Sequence, residues 1–180
     1  MAQLKILMAP HPNLNIVAKE VTKVDASVQK IMDDMLETMY ATNGIGLAAT
    51  QVDIHQRIVV IDVEHDGNGA NKKPLYFVNP VVSNFGKELN TYQEGCLSLP
   101  NIFDDVERPA TCTVTALDYN GKEFTLECDG LLATCIQHEI DHLDGILFSD
   151  HLSRLKRDRA MTKLKKSKKR KEYSQDIFEY

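Results

Sequence analysis

The stretch TCTVTALDYNGKEFTLECDGLLATCIQHEIDHLDG, residues 111–145, decides the fold. Its first half is a β-hairpin. TCTVTALD and EFTLEC are rich in β-branched and aromatic residues, and YNGK stands between them. Asn120-Gly121 is a strong turn signal, because both residues tolerate a positive φ. A two-residue turn there would set Leu117 opposite Phe124 and Cys112 opposite Asp129, so Cys112 would not face Cys128. The second half, residues 131–144, is a helix. Leu131, Leu132, Cys135, Ile136, Glu139, His142 and Leu143 share one face or its edges. Asp129 and Gly145 are a fitting start and stop pair.

Working outward, residues 57–63 (RIVVIDV) and 75–82 (LYFVNPVV) read as strands, with a loop between them. Residues 25–41 read as a helix capped by Asp25. Its apolar stripe runs through Val28, Ile31, Met32, Met35, Leu36, Met39 and Tyr40. Methionines confined to one stripe are core filler rather than a ligand surface. The order is helix, several strands, then helix, with no βαβ alternation and no internal repeat. The expected class is therefore α+β: mostly antiparallel sheets packed around the central helix of residues 131–144, with a C-terminal helical extension.

The 180 residues, 43% hydrophobic and 26% charged, suit one globular domain with a substantial core. No apolar run approaches a membrane span, and the N-terminus lacks the apolar core and cleavage site of an export signal. The four cysteines form no CxxC pair. The expectation is a cytoplasmic protein with reduced thiols. Charge is unevenly spread. Residues 154–171 carry 11 basic residues and one acidic; residues 1–153 carry 10 basic and 22 acidic. A catalytic domain over 1–153 and a basic extension over 154–180, helical or partly disordered, are expected. Such an arm suits a polyanion or a solvated tail equally well on charge alone.

The central helix carries the chemistry. In QHEIDH, His138 and His142 are four apart and so stand one turn above each other. Both imidazoles can reach one metal ion at about 2.0–2.2 Å, with Glu139 near enough to act on a water there. Six histidines and eleven glutamates in this chain give the pattern a chance frequency of roughly 0.01. The same helix is partly apolar, and burying these groups unpaired would be costly. A catalytic ion usually takes a third protein ligand. Six residues past His142 stands Phe148; His151 lies beyond Gly145; Glu172 and Glu179 sit in the polar tail. Upstream, Cys96 follows a glycine in YQEGCLSLP (92–100) and has the setting of a ligand at a strand end. Cys112 and Cys128 read as small buried hydrophobes. Cys135, one turn before His138, is placed to line a pocket.

GIGLAATQ (44–51), EGCLSLP (94–100) and QHEIDHLDG (137–145), in this order and in a chain of this length, resemble the three motifs of the peptide deformylases. The resemblance covers most of the chain. It implies metal ligands Cys96, His138 and His142, with Fe2+ the expected ion and Zn2+, Ni2+ or Co2+ able to take its place. It implies Glu139 as the catalytic acid/base, and the Gln51 amide with the backbone N–H of Leu97 as oxyanion donors. It implies a substrate, the N-terminal formylmethionine of newly made polypeptides, whose formyl carbon is attacked by activated water to release formate. Gly44, Ile45, Gly46, Glu94, Gly95, Leu131 and Cys135 are the expected substrate contacts. Ile45, Leu131 and Cys135 are the candidates for a methionine pocket. Close relatives carry an arginine seven residues after the metal cysteine, where this chain has Phe103; Arg108 matches a basic position further on. The arm resembles extensions that dock on the ribosome near the exit tunnel. A monomer without membrane contact is expected. Two other readings compete. A HExxH peptidase would need a third His or Glu ligand, and a ribosome- or RNA-binding module with a structural ion would need neither Glu139 nor Gln51.

Overall fold

The structure, a computed structural model, describes residues 3–65 and 71–176, and side chains as far as residue 167. Part of the loop expected between the first two strands (66–70) and the end of the basic extension therefore lie outside the described residues. The elements are α1 (Ala26–Ala41), β1 (Gly46–Ala48), β2 (Ile58–Ile61), β3 (Leu75–Ser83), β4 (Leu89–Cys96), β5 (Leu99–Pro109), β6 (Thr111–Leu117), β7 (Glu123–Asp129), α2 (Gly130–Leu143) and α3 (Arg154–Asp176). They form a five-stranded sheet in the order β1-β2-β3-β6-β7 and a two-stranded sheet β4-β5. Every strand pairing is antiparallel. The α+β class read from the sequence is the one observed.

The sheet is covered on both faces, and β2 shows why its sequence is an unbroken apolar run. Successive side chains point to opposite faces. Val59 and Ile61 join Phe77, Val114, Ile136 and Leu143 under α2. Ile58 and Val60 join Val78 and the α1 stripe of Met32, Met35 and Met39. All three methionines are fully buried, and each contributes about 1.5–3 kcal/mol of transfer free energy. Asp25 starts α1 as expected, its carboxylate accepting from the N–H groups of Ser27 (2.9 Å) and Val28 (3.1 Å). No helix among the described residues is long and apolar enough to cross a membrane.

The hairpin register differs from the expected one. Leu117 faces Glu123, Ala116 faces Phe124, and Cys112 faces Cys128. The turn is longer than two residues because Asp118 organises it. Its carboxylate accepts from the N–H groups of Asn120 (2.8 Å) and Lys122 (2.9 Å), and its carbonyl accepts from Gly121 N–H (3.0 Å). Gly121 takes a φ of 80°, the left-handed residue that closes a three-residue hairpin loop. The register moves by one and brings the two cysteines across from each other. Both are nevertheless free thiols, as are Cys96 and Cys135.

The extension is helical from Arg154. Ala160 and Leu164 are buried and share a third apolar cluster with Leu14, Leu99, Ile102 and Phe148. Polar ties reinforce the dock: Lys156 Nζ donates to Asp104 (2.6 Å) and Lys163 Nζ to the Asn101 carbonyl (2.8 Å). Met161 packs against the same cluster, and the outer face is mostly basic, with Arg159, Lys165 and Lys166 exposed.

Candidate metal centre and active site

Three parts of the chain meet over the middle of α2. His138 and His142 project from it one turn apart, both buried, with ring centroids 5.0 Å apart. Cys96 arrives as the last residue of β4. Its placement comes from a break in the β4-β5 ladder. Gly95 pairs with Phe103, but Cys96 pairs with Leu99, so Pro100–Ile102 bulge out of β5. Asn101 absorbs the turn with a φ of 61°. Bulges of this kind re-aim a side chain beside a site, and this one directs the Cys96 thiol toward α2. Cys96 Sγ lies 3.2 Å from His142 Nε2. One potential ligand atom from each of Cys96, His138 and His142 falls within 4.8 Å of the other two.

These donors fit a divalent ion. Bond lengths near 2.3 Å to sulfur and 2.0–2.1 Å to nitrogen put tetrahedral edges at about 3.3–3.6 Å, close to the observed sulfur–nitrogen distance. One thiolate and two imidazoles form a borderline-soft set. The groups that orient these donors are already in place. Glu94, buried on β4, accepts from His138 Nδ1–H (2.7 Å) and from Arg108 Nε (2.6 Å) and Nη2 (3.1 Å). Arg108 also donates to Asp141 (2.8 Å). A proton held on Nδ1 leaves the Nε2 lone pair of His138 for a metal. Burial works to raise the Glu94 carboxyl, but the bonds from His138 and Arg108 hold it down at about 2. Burial works to lower His138, but its hydrogen bonds to Cys96 and Glu94 raise it; an ion at Nε2 would displace the second proton, the one on the Cys96 side. Burial lowers His142 well below the ordinary imidazole range, with the positive charges of His138 and Arg108 adding to it, so this ring is neutral and able to ligate.

Glu139 faces the same space. It is buried, and its Oε2 has no hydrogen-bond partner among the described residues. Burial pushes its carboxyl up to about 7, with His138 opposing. A group of that acidity can both take and give a proton near neutral pH. Opposite it, Gln51 is oriented by its own short helical turn. Its Oε1 accepts from Ala48 N–H (2.9 Å), so its amide N–H groups point toward Ser98 Oγ (3.2 Å) and Cys96 Sγ (3.5 Å).

These groups line one cavity of about 450 Å³, within the usual range of about 300–1,000 Å³ for small-ligand sites. The thirteen residues expected from the sequence divide as follows. Gln51, Cys96, His138 and Glu139 line it from within, and Leu97, Gly44, Ile45, Gly46, Gly95, Leu131 and Cys135 form its walls. His142 lies behind Cys96. Glu94 reaches the wall, yet its carboxylate is spent on Arg108 and His138 rather than facing the space. Gly46 approaches closely: a Cβ there would fall 2.4 Å from Glu139 Oε1 and 2.8 Å from Cys135 Sγ. His151 is elsewhere, bonded to Asp141.

Sequence reading missed the supporting shell. Ser98 is fully buried beside Gln51. His65 Nε2–H donates to the Gly44 carbonyl (2.8 Å), and Tyr40 donates to Asp62 (2.6 Å) at the root of the same loop. Ser98, Gln51 and Gly44 lie in quoted motifs, but nothing in those motifs announces the pairing; only the topology brings residues 21 to 47 positions apart together.

The family model described as polypeptide deformylase matches residues 3–158. A peptide deformylase of Cellvibrio japonicus is 53% identical over 169 residues, 94% of this chain and 98% of that protein. The crystal structure of the Ehrlichia chaffeensis peptide deformylase aligns with a TM-score of 0.89 at 41% identity, over 94% of this chain and 99% of that one. A second crystal structure of the Ehrlichia chaffeensis peptide deformylase, in complex with actinonin, gives 0.87 at 44% identity, over 93% and 98%.

Proposed function

This chain belongs to the peptide deformylase family, and from that premise we propose that it hydrolyses the formyl group from the N-terminal formylmethionine of newly made polypeptides, releasing formate. The observation that carries the reading is the convergence of Cys96, His138 and His142 on one point beside a buried Glu139 whose Oε2 has no hydrogen-bond partner among the described residues. A site that only stabilised the fold would need neither Glu139 nor the aimed amide of Gln51.

Cys96, His138 and His142 would hold a divalent ion, Fe2+ first and Zn2+, Ni2+ or Co2+ as alternatives. Such an ion supplies a Lewis acid that polarises a carbonyl and lowers the pKa of water. The protein's own groups do the rest. Glu94 holds His138 in the ligating tautomer, and Arg108 keeps Glu94 ionised. Glu139 takes the proton from the attacking water and hands it to the departing amine as the carbon–nitrogen bond breaks. The Gln51 amide and the Leu97 N–H donate to the oxygen that becomes negative; losing one such donor costs about 10²–10³ in turnover. β1 is the edge of the five-stranded sheet, so Gly44–Gly46 offer a backbone edge on which the peptide adds as a strand. Backbone pairing tolerates varied sequences. Ile45, Leu131 and Cys135 receive the methionine side chain.

The reading extends to a cytoplasmic monomer, with residues 1–153 as its catalytic unit. The exposed basic face of α3, with Arg159, Lys165 and Lys166, is the surface we assign to the ribosome near the exit tunnel. The deciding experiment measures formate release from formyl-Met-Ala-Ser by protein purified without oxygen, alongside its metal content. Glu139→Gln is expected to keep the ion and lose at least about 10² of the rate. A metal-loaded wild type that releases no formate, or a fully active Glu139→Gln, overturns the reading. Cleavage of internal peptide bonds would instead favour a peptidase.

A further inference from the structure

We propose that Phe103 is a specificity-determining residue, giving the enzyme a preference for an apolar, best aromatic, side chain at the second residue of its substrate. The inference deepens the deformylase reading and rests on it.

Phe103 is 63% exposed, yet it has a defined seat. The Cδ1–Cε1 edge of its ring covers its cross-strand partner Gly95: a Cβ on that glycine would fall 2.5 Å from Cε1 and 2.7 Å from Cδ1. Gly95 immediately precedes Cys96, so the aromatic ring is set one residue from the candidate ligand. Phe103 lines the same cavity as Cys96 and Glu139. Ile45 and Leu131, on the opposite wall, are also large apolar side chains left more than a third exposed. Single exposed apolar residues are common, but three around one mouth mark a binding surface.

The occupant follows from the geometry of an extended peptide. Its formyl end is fixed by Cys96, Gln51 and Glu139. Its methionine side chain turns toward Ile45, Leu131 and Cys135, on the β1 and α2 side. Consecutive side chains of an extended chain point to opposite sides. The second residue therefore faces the β4-β5 wall, where Phe103 stands. No lysine or arginine occurs among the described residues lining the cavity. Asp104, the next residue along β5, is occupied by Lys156 at 2.6 Å. An acidic second side chain meets no cation at this wall, whereas an aromatic one gains the Phe103 ring.

The test measures kcat/KM for formyl-Met-X-Ser and formyl-Met-Ala-X, with X as Phe, Leu, Ala, Glu or Lys. In the wild type, Phe at the second position is expected to exceed Ala about three- to tenfold, with Glu no better than Ala and Lys below Phe. Phe103→Ala should bring the Phe:Ala ratio within about twofold of one. Phe103→Leu should keep part of it, and Phe103→Arg should move the optimum to Glu. Ratios within a single variant are read, so a general loss of activity does not disturb the comparison. A flat wild-type profile, an unchanged ratio in Phe103→Ala, or a preference found only at the third position overturns the proposal alone. Absence of formate release from every peptide overturns the deformylase reading beneath it.

Discussion

Replacing Glu94 by glutamine removes one charge from the centre of a buried chain and changes almost nothing in volume. Glu94 and Arg108 have side chains 4% and 6% exposed, and their contact is bidentate at 2.6 and 3.1 Å. Taking away one partner of a buried pair typically costs about 3–5 kcal/mol, because the remaining charge is left without compensation. Here Arg108 keeps Asp141 at 2.8 Å, and the glutamine oxygen can still accept one bond. The expected loss is therefore lower, about 2–4 kcal/mol. The second effect falls on the ion. The bond from His138 Nδ1 at 2.7 Å would go to a neutral acceptor, and outer-shell changes of this kind cost about 10–100-fold in metal affinity, or about 1.4–2.7 kcal/mol. Urea midpoints of the metal-free protein give the first quantity; chelator competition for Zn2+ or Ni2+ gives the second. Because bound ion adds to stability by linkage, the wild type should gain more from added metal than the variant does. Arg108→Met and the double variant complete a cycle, and the two losses should be far from additive. A Glu94→Gln protein that unfolds at the wild-type midpoint and holds the ion within twofold of wild type would refute the claim that this network sets the site.

Gly46→Ala should lower kcat at least about tenfold and leave the fold intact, since the added Cβ would meet Glu139 Oε1 at 2.4 Å and a 1 Å displacement of a catalytic group can cost about 10²-fold; steady-state formate assays and circular dichroism check both halves. Tyr40→Phe removes a 2.6 Å bond to the buried Asp62 and should cost about 1.5–3 kcal/mol at neutral pH. Burial opposes the ionisation of Asp62, but the bonds from Tyr40 and three backbone N–H groups hold its carboxyl below the ordinary range. A lowered folded-state pKa contributes stability that is full above the unfolded value of about 3.9 and is lost as the pH falls from there through the folded-state value; the wild-type-to-variant gap in urea titrations should therefore shrink progressively below about pH 4. Leu164→Ala should lower thermal stability by about 2 kcal/mol, since the residue is buried against the body; an unchanged midpoint would mean the helix contributes nothing there.

The sequence made the two buried helices and the strands β2, β3, β6 and β7 legible because their patterns are regular; β1, β4 and β5 were not read. The hairpin register was not legible, although its turn was correctly placed. Asn120-Gly121 is a local signal, but Asp118, two residues earlier, carries the acceptor that lengthens the loop. Which of two adjacent turn chemistries dominates is settled by hydrogen bonds that the residue types permit equally. The candidate ligands were legible in the same partial sense. The i, i+4 histidines declare a shared direction on a helix, whereas a lone cysteine declares nothing. Cys96 reaches α2 only through the bulge of Pro100–Ile102 and the positive φ of Asn101. Neither has a pattern that marks it in advance.

The basic arm shows how composition and packing can answer different questions. Its charge divides the chain sharply at residue 154. Its apolar residues do not: Ala160 and Leu164, four apart, put two side chains on one helical face, and both are buried against Leu99, Ile102 and Phe148. Two residues are too few to register as an amphipathic stripe. They suffice on a helix that Lys156 and Lys163 also tie to Asp104 and Asn101. Those two anchors flank Phe103 along β5, and Asn101 itself lines the cavity. The first half of α3 thus braces the wall that carries Cys96 and Phe103, while Arg159, Lys165 and Lys166 remain exposed. A polyanion engaging those exposed residues could therefore be bound without dismantling the two lysine anchors.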